Sequence, residues 1–254
     1  MRALVVLMGV SVVAPAQWLK LPEKGIPRTK DGKPDMNAPA PRKANGQADL
    51  SGIWLVDSPQ WLQDLSKGLK PGDVVMQPWA QKITAERSAG LHASEESDAN
   101  CLPQGVPKIN ATPVPFKIVQ DPELVVILYE AFGQYRQVFL DGRKLPVDPN
   151  PTWLGYSVGR WDGDTLVVDT TGFNGKAWLD QAGHPATESL HVTERFHRRD
   201  FGHLDIQVTI EDPKVYAKAW SATEPMHLLA DTEILEFVCN ENEKDIRHLT
   251  AKPQ

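Results

Sequence analysis

Taken by its apolar positions alone, the chain changes character at Phe116. Downstream of it, short runs of β-branched and aromatic residues are separated by turn residues, the pattern of a β-barrel or β-sandwich. Strands are expected near 116–120, 124–130, 135–140, 155–161, 164–170, 190–198, 203–211, 216–221 and 232–238, with Leu50 to Val56 as an earlier one, about ten in all. Most neighbours are joined by two to six residues. Connections that short favour sequential antiparallel hairpins, since a parallel crossover needs a dozen or more. The expected fold is therefore all-β, an antiparallel meander closing into a barrel, with a sandwich as the alternative. One short helix is expected over 77–87, opened by Pro78 in its first turn, and 90–115 reads as loop.

Two hairpins have a readable register. Asp162-Gly163 is a two-residue turn signal that would pair Arg160 with Thr165, Val158 with Val167 and Tyr156 with Asp169, so Tyr156, Arg160, Thr165 and Asp169 share a face. Asp200-Phe201-Gly202 is a three-residue loop in which Gly202 can take a positive φ. That loop sets His197 opposite Asp205, Arg195 opposite Gln207, Thr193 opposite Thr209 and His191 opposite Glu211. The other face carries Val192, Phe196, Leu204, Ile206, Val208 and Ile210, with Glu194 among them.

Ahead of the strands the pattern is different. Arg2 followed by an apolar run to Val13 and the small residues Ala14-Pro15-Ala16 reads as a secretory signal over 1–16. Residues 17–48 are rich in Pro, Lys and Gly without hydrophobic periodicity and read as a flexible arm, a segment to which a protein partner could attach. The arm holds two related copies, starting at Pro27-Arg28 and Pro41-Arg42. The remainder, 49–254, is expected to form a single barrel-like domain.

Export bears on the two cysteines, Cys101 and Cys239. Without Cys-x-x-Cys or Cys/His spacing, and in an oxidising compartment, they are expected to form a disulfide, and the chain to be periplasmic or secreted. A net charge of -6 leaves no basic surplus for a phosphate backbone, so nucleic acid is not an expected partner. No run of apolar residues is long enough for a membrane-spanning helix.

The candidate chemistry lies on the hairpins. His197 beside Asp205 is the arrangement that orients an imidazole as a general base. A polar outer face is the ordinary reading of the same alternation; if that face lined a barrel instead, Tyr156, Arg160, Asp169 and Arg195 would become the wall of a ligand pocket. Glu194 breaks an apolar face, and a buried carboxylate needs a partner, such as an arginine from a neighbouring strand, or a raised pKa. That makes Glu194 a candidate acid or base together with His197 and Asp205. Arg136 and Glu130, with Asp141 and Arg143, form a second mixed set around the 124–140 hairpin and are further ligand-binding candidates. His191, His197, His203 and Asp205 have spacing compatible with metal ligation, but no zinc, phosphate-loop or nucleophile-elbow motif is present. No cofactor or metal is expected.

Leu50-Ser51-Gly52-Ile53-Trp54 resembles the Gly-x-Trp opening of lipocalin-like barrels, in which the tryptophan caps one end. The stretch Gly155-Tyr156-Ser157-Val158-Gly159-Arg160-Trp161-Asp162-Gly163-Asp164-Thr165-Leu166-Val167-Val168-Asp169-Thr170, with Thr193-Glu194-Arg195-Phe196, resembles a family of secreted bacterial proteins of unassigned function. The resemblance implies fold continuity over about 49–245 and no catalytic residue. The leading expectation is an exported small-molecule-binding barrel with a polar-lined pocket. The alternatives are an exported hydrolase, lyase or isomerase acting on a sugar or aromatic compound, and a structural or interaction protein.

Overall fold

The alternation downstream of Phe116 closes on itself. In the computed structural model, which describes residues 21–241, nine strands follow in chain order: β1 (Gly52–Val56), β2 (Phe116–Gln120), β3 (Leu124–Tyr129), β4 (Tyr135–Phe139), β5 (Tyr156–Asp162), β6 (Thr165–Thr171), β7 (His191–Arg198), β8 (His203–Glu211) and β9 (Trp220–Leu228). Each pairs with the next and β9 pairs with β1, giving a closed barrel with no free edge. The barrel holds and the sandwich alternative falls. The signal expected over 1–16 lies outside the described residues.

One pair departs from the antiparallel meander. β4 and β5 run parallel and are in register only at Val138–Ser157 and Phe139–Val158. The connection over 140–155 makes this feasible, because it is long enough to carry the chain back to the end where β4 began.

Both hairpins form. The β7–β8 register is as expected, from His191 opposite Glu211 to His197 opposite Asp205. Gly202, however, does not take a positive φ; its use is close approach, since a Cβ there would lie 2.6 Å from the Met36 Cβ and 2.9 Å from the Met36 carbonyl oxygen. The β5–β6 pairing is shifted by two residues from expectation, with Asp162 opposite Thr165 and Arg160 opposite Val167. Its turn is Gly163-Asp164, with Gly163 at φ 60 in the first central position where a type II′ turn needs it. A shift of two preserves the faces.

β9 replaces the strands expected at 216–221 and 232–238; the latter range holds none. Its pattern was masked by Glu224 and Pro225. Pro225 is tolerated because its carbonyl accepts the Asp57 N–H just past the end of β1, so the missing donor faces that end rather than β8.

Inward positions form one core, including Trp54, Phe116, Ile118, Ile127, Phe196, Leu204 and Ile206. At the base of the barrel, the Trp54 indole donates to the Leu50 carbonyl and lies 4.9 Å under the Arg198 guanidinium. Arg198 in turn donates to the carbonyls of Asp49, Ser51 and Phe201. Burial lowers the pKa of Arg198 to about 10.

The arm expected to be flexible is ordered from residue 21. Its two copies fold alike, each closed by backbone bonds: Asp35 N–H to Pro27 and Thr29 N–H to Lys33 in one, Asp49 N–H to Pro41 and Lys43 N–H to Gln47 in the other. Each copy then sends its arginine to an aspartate, Arg28 to Asp231 and Arg42 to Asp164. These local closures supply the order that apolar periodicity does not.

The opposite end is covered by α1 (Gln60–Gln63), α2 (Pro78–Ser88) and α3 (Lys108–Ala111) with their loops. All four residues of α3 are buried, and Lys108 pairs there with Glu96 and Asp98 at 2.6 and 3.0 Å. The Cys101–Cys239 disulfide forms, tying this cap to the segment after β9. Among the described residues, no helix is long and apolar enough to cross a membrane.

Candidate functional site

The inward alternation of β3, β4, β5, β6, β7 and β9 places Tyr129, Arg136, Ser157, Thr170, Glu194 and Glu224 inside the barrel. Together with Asn110 from α3 they form a polar layer in an otherwise apolar interior. Arg136 is its hub: Nε donates to Ser157 Oγ at 2.9 Å, Nη2 to Thr170 Oγ1 at 2.8 Å, Nη1 to Glu194 Oε1 at 3.1 Å, and Nη2 also to Glu194 Oε2. Asn110 donates to Glu194 Oε1 at 2.8 Å and accepts from the Tyr129 hydroxyl at 2.8 Å. Burial alone would lower the pKa of Arg136, but the charge and hydrogen bonds of Glu194, together with Tyr129, outweigh it and raise it. Burial raises that of Tyr129, keeping it a neutral donor.

Glu224 breaks this completeness. It is fully buried, and among the described residues neither carboxylate oxygen has a hydrogen-bond partner. Burial, reinforced by the charge of Glu194, raises its pKa well above the ordinary carboxylate value. The layer therefore holds one guanidinium, one carboxylate paired with it, and one unpaired carboxyl group whose proton burial favours.

The candidates on the other face sit elsewhere. Tyr156, Arg160, Asp169, Arg195, His197 and Asp205 lie on the outer wall, because the same strands turn their apolar alternates inward. Arg160 pairs with Asp169 at 2.6 Å, Arg195 with Asp162 at 2.8 Å, and Arg199 with Asp205 at 3.0 Å. The His197 ring lies 3.4 Å from Thr165 Oγ1, and Asp205 is engaged by Arg199, so the expected imidazole–carboxylate dyad does not form. Glu130 accepts the Leu235 N–H at 2.9 Å and holds the segment after β9 instead of meeting Arg136.

The histidines and aspartate considered for metal do not gather either: His191 is beside Asp169 and His203 beside Asp200. Among the described residues, metal-ligating types converge at Asp64, Asp180 and His184.

Between β4 and β5 the short parallel register leaves a surface groove of about 350 Å³. Tyr135, Phe139, Trp153 and Tyr156 line it with Gln134, Gln137 and Thr152, and Arg136 and Ser157 of the polar layer stand behind it. The Thr152 hydroxyl is buried there without a partner among the described residues. A second hollow of about 360 Å³ adjoins it, sharing Phe139, Tyr156 and Ser157. Of the sequence candidates, Tyr156 and Arg136 reach this groove.

Sequence reasoning missed Glu224, Asn110 and Thr152. The signal for Glu224 was the one that exposed Glu194, a carboxylate in an apolar period-two face (Trp220, Ala222, Met226, Leu228). Asn110 and Thr152 carry no comparable pattern.

No family model and no curated protein sequence matches the chain. A solved structure of a mutant of the fluorescent protein UnaG matches at 13% identity with a TM-score of 0.34, covering 71% of this chain and 96% of that one.

Proposed function

We propose that the protein is an exported binding protein for a small ring compound bearing hydroxyl or carbonyl groups, held in the groove between β4 and β5. The observation that carries this reading is the groove itself: its volume is in the range of small-molecule sites, and its walls combine aromatic faces with a few neutral polar groups. Aromatic faces favour a flat or ring-shaped body, and Gln134, Gln137 and the unpartnered Thr152 hydroxyl can accept or donate to its polar substituents. The polar layer behind the groove fixes the position of β4 against β6 and β7. The apolar start of the chain and the Cys101–Cys239 disulfide support a periplasmic or secreted location.

A panel of monosaccharides, disaccharides and phenolic acids, screened by thermal shift and ligand-observed NMR on the full chain, tests this. A binder is expected whose affinity falls about tenfold in Tyr156→Ala, the loss typical of truncating an aromatic anchor. The melting temperature of the free protein should stay unchanged. A binder equally tight in Tyr156→Ala and Thr152→Val would place the site elsewhere and end this reading.

A further inference from the structure

Away from the groove, Asp64, Asp180 and His184 bring three metal-ligating side chains together at the capped end of the barrel. Each offers one donor atom, and the three atoms lie within 4.8 Å of one another. Asp64 closes α1, while Asp180 and His184 stand four residues apart on the loop after β6. The loop doubles back between them, with Leu179 N–H bonded to the His184 carbonyl and Gly183 at φ 88, where a Cβ would collide with the Arg87 side chain. The Leu65 N–H donates to Asp180 Oδ2 at 2.8 Å, which aims that carboxylate from the α1 side.

Burial gives the trio a closed floor and an open rim. Asp180 is fully buried and His184 nearly so, while Asp64 is half-buried. Charge is out of balance there. Among the described residues neither aspartate is paired with a lysine or arginine; the nearby Arg87 turns its guanidinium onto the Trp178 ring and the Gly183 carbonyl. Two carboxylates thus face one imidazole in a buried place, where uncompensated negative charge is costly.

We propose that Asp64, Asp180 and His184 form a binding site for a divalent transition-metal ion of the zinc type. Imidazole with two carboxylates suits zinc, iron or nickel better than magnesium or calcium, which prefer all-oxygen sets. A tetrahedral ion with bonds of about 2.0–2.1 Å holds its ligand atoms roughly 3.4 Å apart, so side-chain shifts of about 1.4 Å or less close the site. The 2.6 Å hydrogen bond between His184 Nδ1 and Asp180 Oδ2 gives way as the ion enters, and the ring nitrogen that binds the ion does so without a proton. The Leu65 N–H stays on Asp180 as an outer support for the ligand. The Asp64 side is left for water or an exogenous ligand.

The untagged full chain, stripped with a chelator, is titrated with zinc chloride by calorimetry in two buffers of different ionisation enthalpy, with magnesium and calcium chlorides alongside. One zinc ion per chain is expected, with no comparable uptake of the two hard cations. Asp64→Asn, whose side-chain oxygen can still accept from Ser66, and His184→Gln should each weaken zinc by about tenfold or more. The metal-free melting temperature of Asp64→Asn should stay near that of the parent chain. Absence of zinc uptake overturns the proposal. So does equal affinity in both variants, which would assign the ion to surface pairs such as His203–Asp200 or His227–Asp57.

Discussion

The two faces of the barrel wall from β4 to β7 carry the same residue types in opposite circumstances. Inside, the Arg136 and Glu194 side chains are 2% and 0% exposed, and hydroxyl and amide groups complete their hydrogen bonds. Outside, Arg160 and Asp169 pair at 65% and 21% exposure, and Arg195 and Asp162 at 40% and 65%. Water screens the outer pairs, which leaves each with about 1 kcal/mol or less. The inner pair cannot separate without leaving a charge in a low-dielectric interior. A constellation of charged residues on a strand therefore acquires a role only once its face is known.

The contrast is broken most sharply at Glu194. Its replacement by alanine leaves the Arg136 guanidinium buried without a counter-charge, and urea denaturation is expected to show a loss of about 3–5 kcal/mol. Replacing both partners with apolar residues of similar volume, Arg136→Met with Glu194→Leu, should recover much of that loss, because the burial penalty disappears with the charges. A single-variant loss below about 1 kcal/mol would mean that the inner pair behaves like the outer ones.

Glu224 sharpens the comparison through pH. Its folded pKa is raised above the ordinary 4.5, so it favours the folded state fully at pH below that value, where both states hold the proton. As pH rises past 4.5 the unfolded chain releases the proton while the folded chain keeps it, and this contribution falls until the folded pKa is reached. The slope is about 1.4 kcal/mol per pH unit for one proton. Glu224→Gln removes that dependence, so its stability relative to the parent should climb between pH 5 and pH 8 in parallel urea titrations. A constant difference across that range would show a Glu224 that ionises normally.

Period-two alternation made most strands legible to within a residue or two, and the Asp-Phe-Gly loop set the β7–β8 register. The alternation could not assign the faces, because closure decides which is inward. The β5–β6 turn slipped by two because both Asp162-Gly163 and Gly163-Asp164 read as hairpin turns, and the choice between them is made by pairing with β7. β9 was hidden by the residues that give it interest, since Glu224 and Pro225 each argue against a strand when no neighbour is in view. The arm was unreadable for a different reason: its order comes from Arg28 reaching Asp231 and Arg42 reaching Asp164, contacts separated by 203 and 122 residues. Asp180 and His184 likewise meet Asp64 only through tertiary packing. Glu194 alone announced itself, because one carboxylate in an apolar row violates the pattern locally.

The smallest effects are expected where the sequence pointed most strongly to chemistry. His197 and Asp205 face each other across β7 and β8, yet each is served by another neighbour, Thr165 and Arg199. His197→Ala and Asp205→Ala should each change stability by about 0.5 kcal/mol or less, the ordinary range for surface substitutions. Their effects should also add within about 0.3–0.5 kcal/mol in a double-mutant cycle, since residues that share no partner couple weakly. Coupling above about 1 kcal/mol would reveal a His197–Asp205 contact in solution and return the outer face to consideration as a site of acid–base chemistry. Independence of the two, beside strong coupling of Arg136 with Glu194, would show that burial rather than proximity in register makes a charged pair on this barrel act as a unit.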